Sequence, residues 1–355
     1  MSKIINPHAM FFEKVFSRKD VAVDLIQNYL PKEIINDLDL STLQLENKSF
    51  ISNELKPSQS DLLFKVLTKD CNPLFIYILL EHKSFVDRWV VLQLLAYIVQ
   101  ICDEQRAINK QKRLEIRADN IKNEKPENEG IDTEYLYPII PVVVYHGKAE
   151  WNLKKDFSEL FHKGHIYKKY LPDYTFELIN TANYSDDQFK GNVILQVSLM
   201  SMKHFFLDDF ETKIPELLFL LADLIENIDS EIGFLEVLLR YLSANKKHSK
   251  KWLQRNLKCA FKDKGGDIMT SIADIWIEEG KREGKRVGER LAAKKLTAKL
   301  IAKKFNINLK KIMPRLNPLR TNDIMELGEY ILAMNTLDDA NQWINARKKQ
   351  IKMMT

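Results

Sequence analysis

Leu74-Phe75-Ile76-Tyr77-Ile78-Leu79-Leu80-Glu81-His82-Lys83 is the stretch that decides the architecture. Seven consecutive apolar residues precede a charged end. A run that short, apolar on both faces, reads as a strand buried in the middle of a sheet. Upstream lies a second run, Asp61-Leu62-Leu63-Phe64-Lys65-Val66-Leu67-Thr68. Asp70-Cys71-Asn72-Pro73 between them is a turn cluster, so the pair predicts a β-hairpin centred on Cys71. A further strand is expected just before it, near residues 43–55.

Counting from Cys71 gives the hairpin a chemical meaning. Asp61 and Glu81 are each ten positions from that centre, which sets them directly opposite, with Cβ atoms roughly 5 Å apart. Side chains alternate along a strand, so Glu81 and Lys83 share that face and His82 points to the other. Two carboxylates so close repel, and a hard divalent cation relieves the conflict. A lysine beside them suits orienting a water or offsetting developing negative charge. The plainer alternative is a turn-capping Asp61 and a same-face ion pair of Glu81 with Lys83.

Working outward, residues 11–30 read as one amphipathic helix, with Pro31 either stopping it or starting the next turn. Residues 85–102 form an apolar, mostly buried helix, followed to about residue 134 by a charged extension and loop. Gln93 and Tyr97 are four apart on that helix and share a face. They either support the site or are hydrogen-bonded core residues. Residues 138–145 predict another buried strand ending at His146-Gly147. That pair is either part of a substrate cleft or a strand-ending turn. The rest is helical, with glycines at 280, 284 and 288 that either allow close packing in a homo-oligomer or are a tolerated repeat.

The order helix, three strands, helix, strand predicts an α/β core with an α-helical C-terminal region. We divide the 355 residues into a main domain over 1–265, a basic helix over 266–304 and a small helical unit over 305–355. With 45% hydrophobic and 29% charged residues, the chain is globular rather than disordered. Three cysteines, none paired at metal-ligand spacing, speak against a disulfide framework or a zinc site. No apolar run suits a signal peptide or a bilayer span, so no membrane partner and a cytoplasmic location are expected.

Net charge is +5 and unevenly spread. Residues 246–264 hold eight Lys or Arg against one acid, with Trp252 and Phe261 interleaved. Lys246, Lys247, Lys250, Lys251, Arg255 and Lys258 are the DNA-contact candidates, against the reading of an ordinary solvated face.

Several segments in order resemble the Rpn family of recombination-promoting nucleases, which are also classed as transposases. They are Pro7 to Ser17, Ser58 to Phe64, Leu80 to Ser84 and Pro138 to Gly147. The resemblance implies a PD-(D/E)XK restriction-endonuclease-like core, a mixed sheet flanked by helices. It further implies endonucleolytic DNA cleavage with Mg²⁺, Mn²⁺ or Ca²⁺. Carried over by motif, it gives Asp61, Glu81 and Lys83 as the catalytic set, with Asp61 and Glu81 on the metal. Ala9 stands where the family often has an acidic residue; Glu13 is the candidate on that helix. The rival function is a DNA-binding or oligomerising protein on the same fold.

Overall fold

The computed structural model describes residues 6–46, 61–81, 86–126, 129, 135–153, 156–224, 228–245, 250–262 and 264–354. It divides into two compact units, Ser2–Met269 and Thr270–Thr355.

The larger unit opens with α1 (Pro7–Phe16). Asn6 caps it by accepting the Ala9 N–H, and Pro7 fills the first turn, where its missing N–H costs nothing. The predicted single helix is in fact two. Arg18 is extended, and α2 (Lys19–Tyr29) starts after it. There the Arg18 guanidinium bonds both Asp20 and Glu231, the latter at 2.6 Å. A helical pattern of apolar residues runs through this break, so periodicity alone hides it. Leu30 is extended and Pro31 leads into a short helix, α3 (Lys32–Ile35).

Five strands form one sheet in the order β1 (Leu38–Leu45), β2 (Leu62–Thr68), β3 (Pro73–Glu81), β4 (Ile139–Tyr145) and β5 (Glu177–Asn180). The first three are antiparallel; β3, β4 and β5 run parallel. The sheet is therefore mixed, and the Leu74–Glu81 stretch is its central strand. A register shift between Asp39 and Gln44 interrupts β1. The part of the predicted first strand beyond Glu46 lies outside the described residues. β5 is absent from the sequence reading: only Leu178 and Ile179 are apolar in its four residues, too short a signal to stand out.

The hairpin register departs from the predicted one. Leu62 pairs with Ile78 and Leu67 with Pro73. The turn closes with the Thr68 N–H on the Asn72 carbonyl, and Cys71 takes φ 61°. The symmetry centre is thus Asp70 rather than Cys71. Placing the left-handed residue third in the four-residue loop moves the pairing by two positions.

α4 (Val90–Lys122) carries the chain from β3 to β4. Its first residues Val90, Val91, Leu94, Tyr97 and Ile101 join Leu63, Tyr77, Leu79 and Val143 of the sheet in one core. Among its described residues, the β4–β5 crossover has no α-helix. Tight turns at Phe157–Leu160 and Lys168–Tyr170 carry it, and Phe157 and Phe176 enter the same core. Alternation sends Phe64, Ile76, Ile78, Val142 and Val144 to the other face, where all are buried.

α5 (Val193–His204), α6 (Phe210–Leu224), α7 (Ile228–Leu242) and α8 (Lys250–Phe261) follow. α9 (Lys264–Lys304) supplies, from residue 270 on, part of the second unit. That unit adds α10 (Leu309–Ile312), α11 (Thr321–Tyr330) and α12 (Leu337–Met354) around a core including Ile301, Leu316, Ile324 and Leu327. Lys304 closes the end of α11 by donating to the Ile331 and Leu332 carbonyls. No helix among the described residues is long and apolar enough to cross a membrane.

Candidate active site

Asp61 stands one residue before β2 and is only 3% exposed. Extending the register by one step sets it level with Leu79, not Glu81. Glu81 is the diagonal neighbour, two residues further along β3, a relationship in which residues lie about 7–8 Å apart. The predicted direct opposition is corrected on this point. A shift of two preserves the alternation, so Asp61 stays in the set of Tyr77 and Leu79, on the face that α4 covers.

Tyr77 was not foreseen. It is fully buried, and its ring lies 4.9 Å from that of Tyr97 on α4. Burial, then the charges of Asp61 and Tyr97, hold its phenol well above the ordinary range. The signal was present in the sequence, since Tyr77 is four positions before Glu81 on a strand and so shares its face. The aliphatic run around it masked that polar tip.

Tyr97 is 4% exposed, and Gln93, one turn earlier, is half-buried. Both stand on the helix that covers Asp61's face. The Tyr174 phenol donates to the Val91 carbonyl and ties the β4–β5 crossover to the first turn of α4. The backbone of Glu81 is the last residue of β3, paired with Tyr145. Its side chain and all of Lys83 lie outside the described residues, as does His82. Among the described residues, no group of three or more His, Cys, Asp or Glu is arranged to hold a metal.

His146 belongs elsewhere. It is 1% exposed, its Nδ1 is 3.3 Å from the Met202 carbonyl, and its ring is 5.0 Å from that of His8. His8 Nδ1 is 3.0 Å from the Tyr241 hydroxyl. This aromatic cluster joins β4 to α1, α5 and α7 on the opposite face of the sheet, a packing role. Glu13 of α1 is half-buried.

Of the basic candidates, Lys246 and Lys247 lie outside the described residues, and Lys250 is placed only as the first residue of α8. Lys251, Arg255 and Lys258 are exposed at spacings of four and three, one face of α8, while Leu253, Leu257 and Ala260 are buried.

The model of the family described as "Putative transposase, YhgA-like" matches residues 6–232, which hold the whole sheet and Asp61. The chain belongs to that family. Among relatives of this YhgA-like chain is recombination-promoting nuclease RpnD of Escherichia coli O157:H7. It is 27% identical over 241 residues, 66% of this chain and 80% of RpnD. Recombination-promoting nuclease RpnC of Escherichia coli strain K12 is 23% identical over 199 residues, 56% of this chain and 58% of RpnC. A third, from strain K12, carries the name "Putative inactive recombination-promoting nuclease-like protein YjiP". It is 32% identical over 95 residues, 27% of this chain and 91% of YjiP. No solved structure gives a significant match.

Proposed function

We propose that this YhgA-like family member is a divalent-metal-dependent DNA endonuclease with a PD-(D/E)XK-type core, acting in DNA recombination or mobile-element movement. One observation carries the reading: a buried carboxylate, Asp61, beside the central strand whose last residue is Glu81. A charge that deep needs a reason. The names of RpnD and RpnC supply the reaction class.

Asp61 and Glu81 offer hard oxygen donors, the type Mg²⁺ and Mn²⁺ accept, so the donor set fits such an ion. When bound, the ion would acidify a water and offset charge on the phosphate. The chain's own residues would do the rest. Lys83 would orient the attacking water. Tyr77 and Tyr97 would wall the Asp61 carboxylate from bulk solvent, and Gln93 would face the phosphate. Lys251, Arg255 and Lys258 would hold the DNA backbone without reading sequence, so affinity would fall with salt.

The test is supercoiled plasmid with purified protein in Mg²⁺ or Mn²⁺, beside Asp61→Ala and Lys83→Ala. Nicking by the wild type and its loss in both variants supports the reading. Equal nicking by all three sinks it. Binding without nicking in any metal favours the rival reading, a DNA-binding protein that has lost cleavage, for which the inactive designation of YjiP is the precedent.

A further inference from the structure

The β4–β5 crossover carries a surface that the site above does not use. Phe161-His162-Lys163-Gly164-His165-Ile166-Tyr167-Lys168-Lys169-Tyr170 contains three lysines, two histidines and no acid. Every residue of it except Gly164 is exposed. Tyr170 is 74% exposed, Tyr167 55% and Phe161 46%. Large aromatics turned outward together need an explanation, because scattered apolar residues are ordinary but clusters mark binding surfaces.

The loop is built, not slack. Gly164 packs so closely on the Ser158 carbonyl that a Cβ there would sit 1.9 Å from its oxygen. Lys163 takes φ 55°, and successive turns bond Gly164 to Phe161, Tyr167 to Gly164 and Tyr170 to Tyr167. Phe157 below anchors it in the core and meets the Phe161 ring at 5.4 Å.

Its place in the fold matters. Arg88 donates to the Glu159 and Leu160 carbonyls, which fastens the loop beside the start of α4. The neighbouring Trp89 is 54% exposed with the Arg88 guanidinium over its ring at 5.5 Å. Likewise Lys169 Nζ lies 4.8 Å from the centre of the Tyr170 ring. The chain leaves β3 and β4 at their carboxyl ends before it reaches Arg88 and this loop. Parallel strands bind ligands at that end, and Glu81 ends β3 there.

We infer that Arg88, Trp89, Phe161, Tyr167, Lys169 and Tyr170 form a stacking platform for an unpaired nucleic-acid strand. Exposed aromatic rings interleaved with cations, in a stretch from Phe161 to Tyr170 that itself holds no acid, match a polyanion whose flat bases are exposed. Duplex DNA hides those faces and offers the platform only phosphates. Of the flanking acids, Asp156 is held by Lys168 at 2.7 Å and Asp87 accepts the Trp89 N–H at 3.0 Å, while Glu159 and Asp173 lie outside the stretch. The inference deepens the nuclease reading by naming the form of substrate, and it rests on that reading only for cleavage.

The experiment uses the full chain in EDTA, with fluorescence anisotropy on a labelled oligothymidylate and on a hairpin duplex of equal length. The wild type should bind the oligothymidylate more tightly. Tyr167→Ala and Tyr170→Ala should each weaken it on the order of fivefold or more, leave the duplex unchanged, and be rescued by Phe. Lys163→Gln with Lys169→Gln should weaken both DNAs and flatten the salt dependence. Equal binding by the Ala variants, equal preference for duplex, or no binding at all overturns the platform. So does tighter, tyrosine-dependent binding to phosphatidylglycerol vesicles, which would mark a membrane surface. Strand binding without metal-dependent nicking keeps the platform and rejects the nuclease; nicking with unaltered Ala variants does the reverse.

Discussion

The ring of Tyr77 on β3 lies 4.9 Å from the ring of Tyr97 on α4, and the Tyr77 phenol borders the buried carboxylate of Asp61. This contact joins the central strand to the helix that covers it. Tyr97→Ala should cost about 3–5 kcal/mol of stability, as for other buried aromatics, while Tyr97→Phe should cost about 1 kcal/mol or less. Denaturant melts of both variants check it. Under the nuclease reading, Tyr77→Phe should raise the metal concentration for half-maximal nicking several-fold with little change in folding. An unchanged metal response would deny Tyr77 any hold on Asp61.

A second prediction concerns acid. Burial raises the Asp186 carboxyl, but hydrogen bonds from Lys203 at 2.8 Å and His204 at 2.9 Å outweigh it and bring it from 3.8 down to about 2. The folded value is below the unfolded one, so the contribution is complete above the unfolded value and lost as pH falls toward 2. Asp186→Asn should therefore destabilise the protein on the order of 1 kcal/mol near neutral pH, with solvent screening limiting the effect. The gap between variant and wild type should close between pH 4 and pH 2. A gap that persists at pH 2 would contradict the assignment.

Gly164 offers a steric test. A Cβ placed 1.9 Å from the Ser158 carbonyl oxygen forces the backbone to move. Gly164→Ala should cost about 1–3 kcal/mol, in line with overpacking elsewhere. It should also weaken binding of the unpaired strand, because Phe161 and Tyr167 bond to this turn. Thermal melts and anisotropy on one sample read both effects.

The glycines of α9 predict the opposite sign. Gly280, Gly284 and Gly288 have nothing within 4 Å of an added Cβ. Contacts among the described residues give no reason for them, and glycine costs about 1 kcal/mol against alanine inside a helix. Gly284→Ala should stabilise α9 by up to that amount, seen as a higher midpoint in far-ultraviolet melts. A loss of stability that depends on protein concentration would instead reveal a homo-oligomer packed on these positions.

Much of the architecture was legible where one local pattern dominates. The apolar run Leu74–Leu80 announced a central strand, the Asp70–Pro73 cluster announced the turn, and the long apolar segment after residue 85 announced the covering helix. Breaks set by distant partners were not legible. The extended Arg18 reads as helix until Glu231, 213 residues away, is seen to hold it. β5 escaped because its four residues gain their order from pairing with β4.

By itself, the sequence determined which residues of each strand share a face. Tyr77 and Leu79 fall together along β3 by two-residue alternation, and Asp61 joins that set only because the turn moved the pairing by an even number of residues. Only the tertiary structure decided how far along they meet. A left-handed Cys71 shifted the pairing by two, which changed Asp61 from the partner of Glu81 into its diagonal neighbour. Parity is a local property of the backbone, whereas register depends on loop geometry and on the packing that holds the strands together.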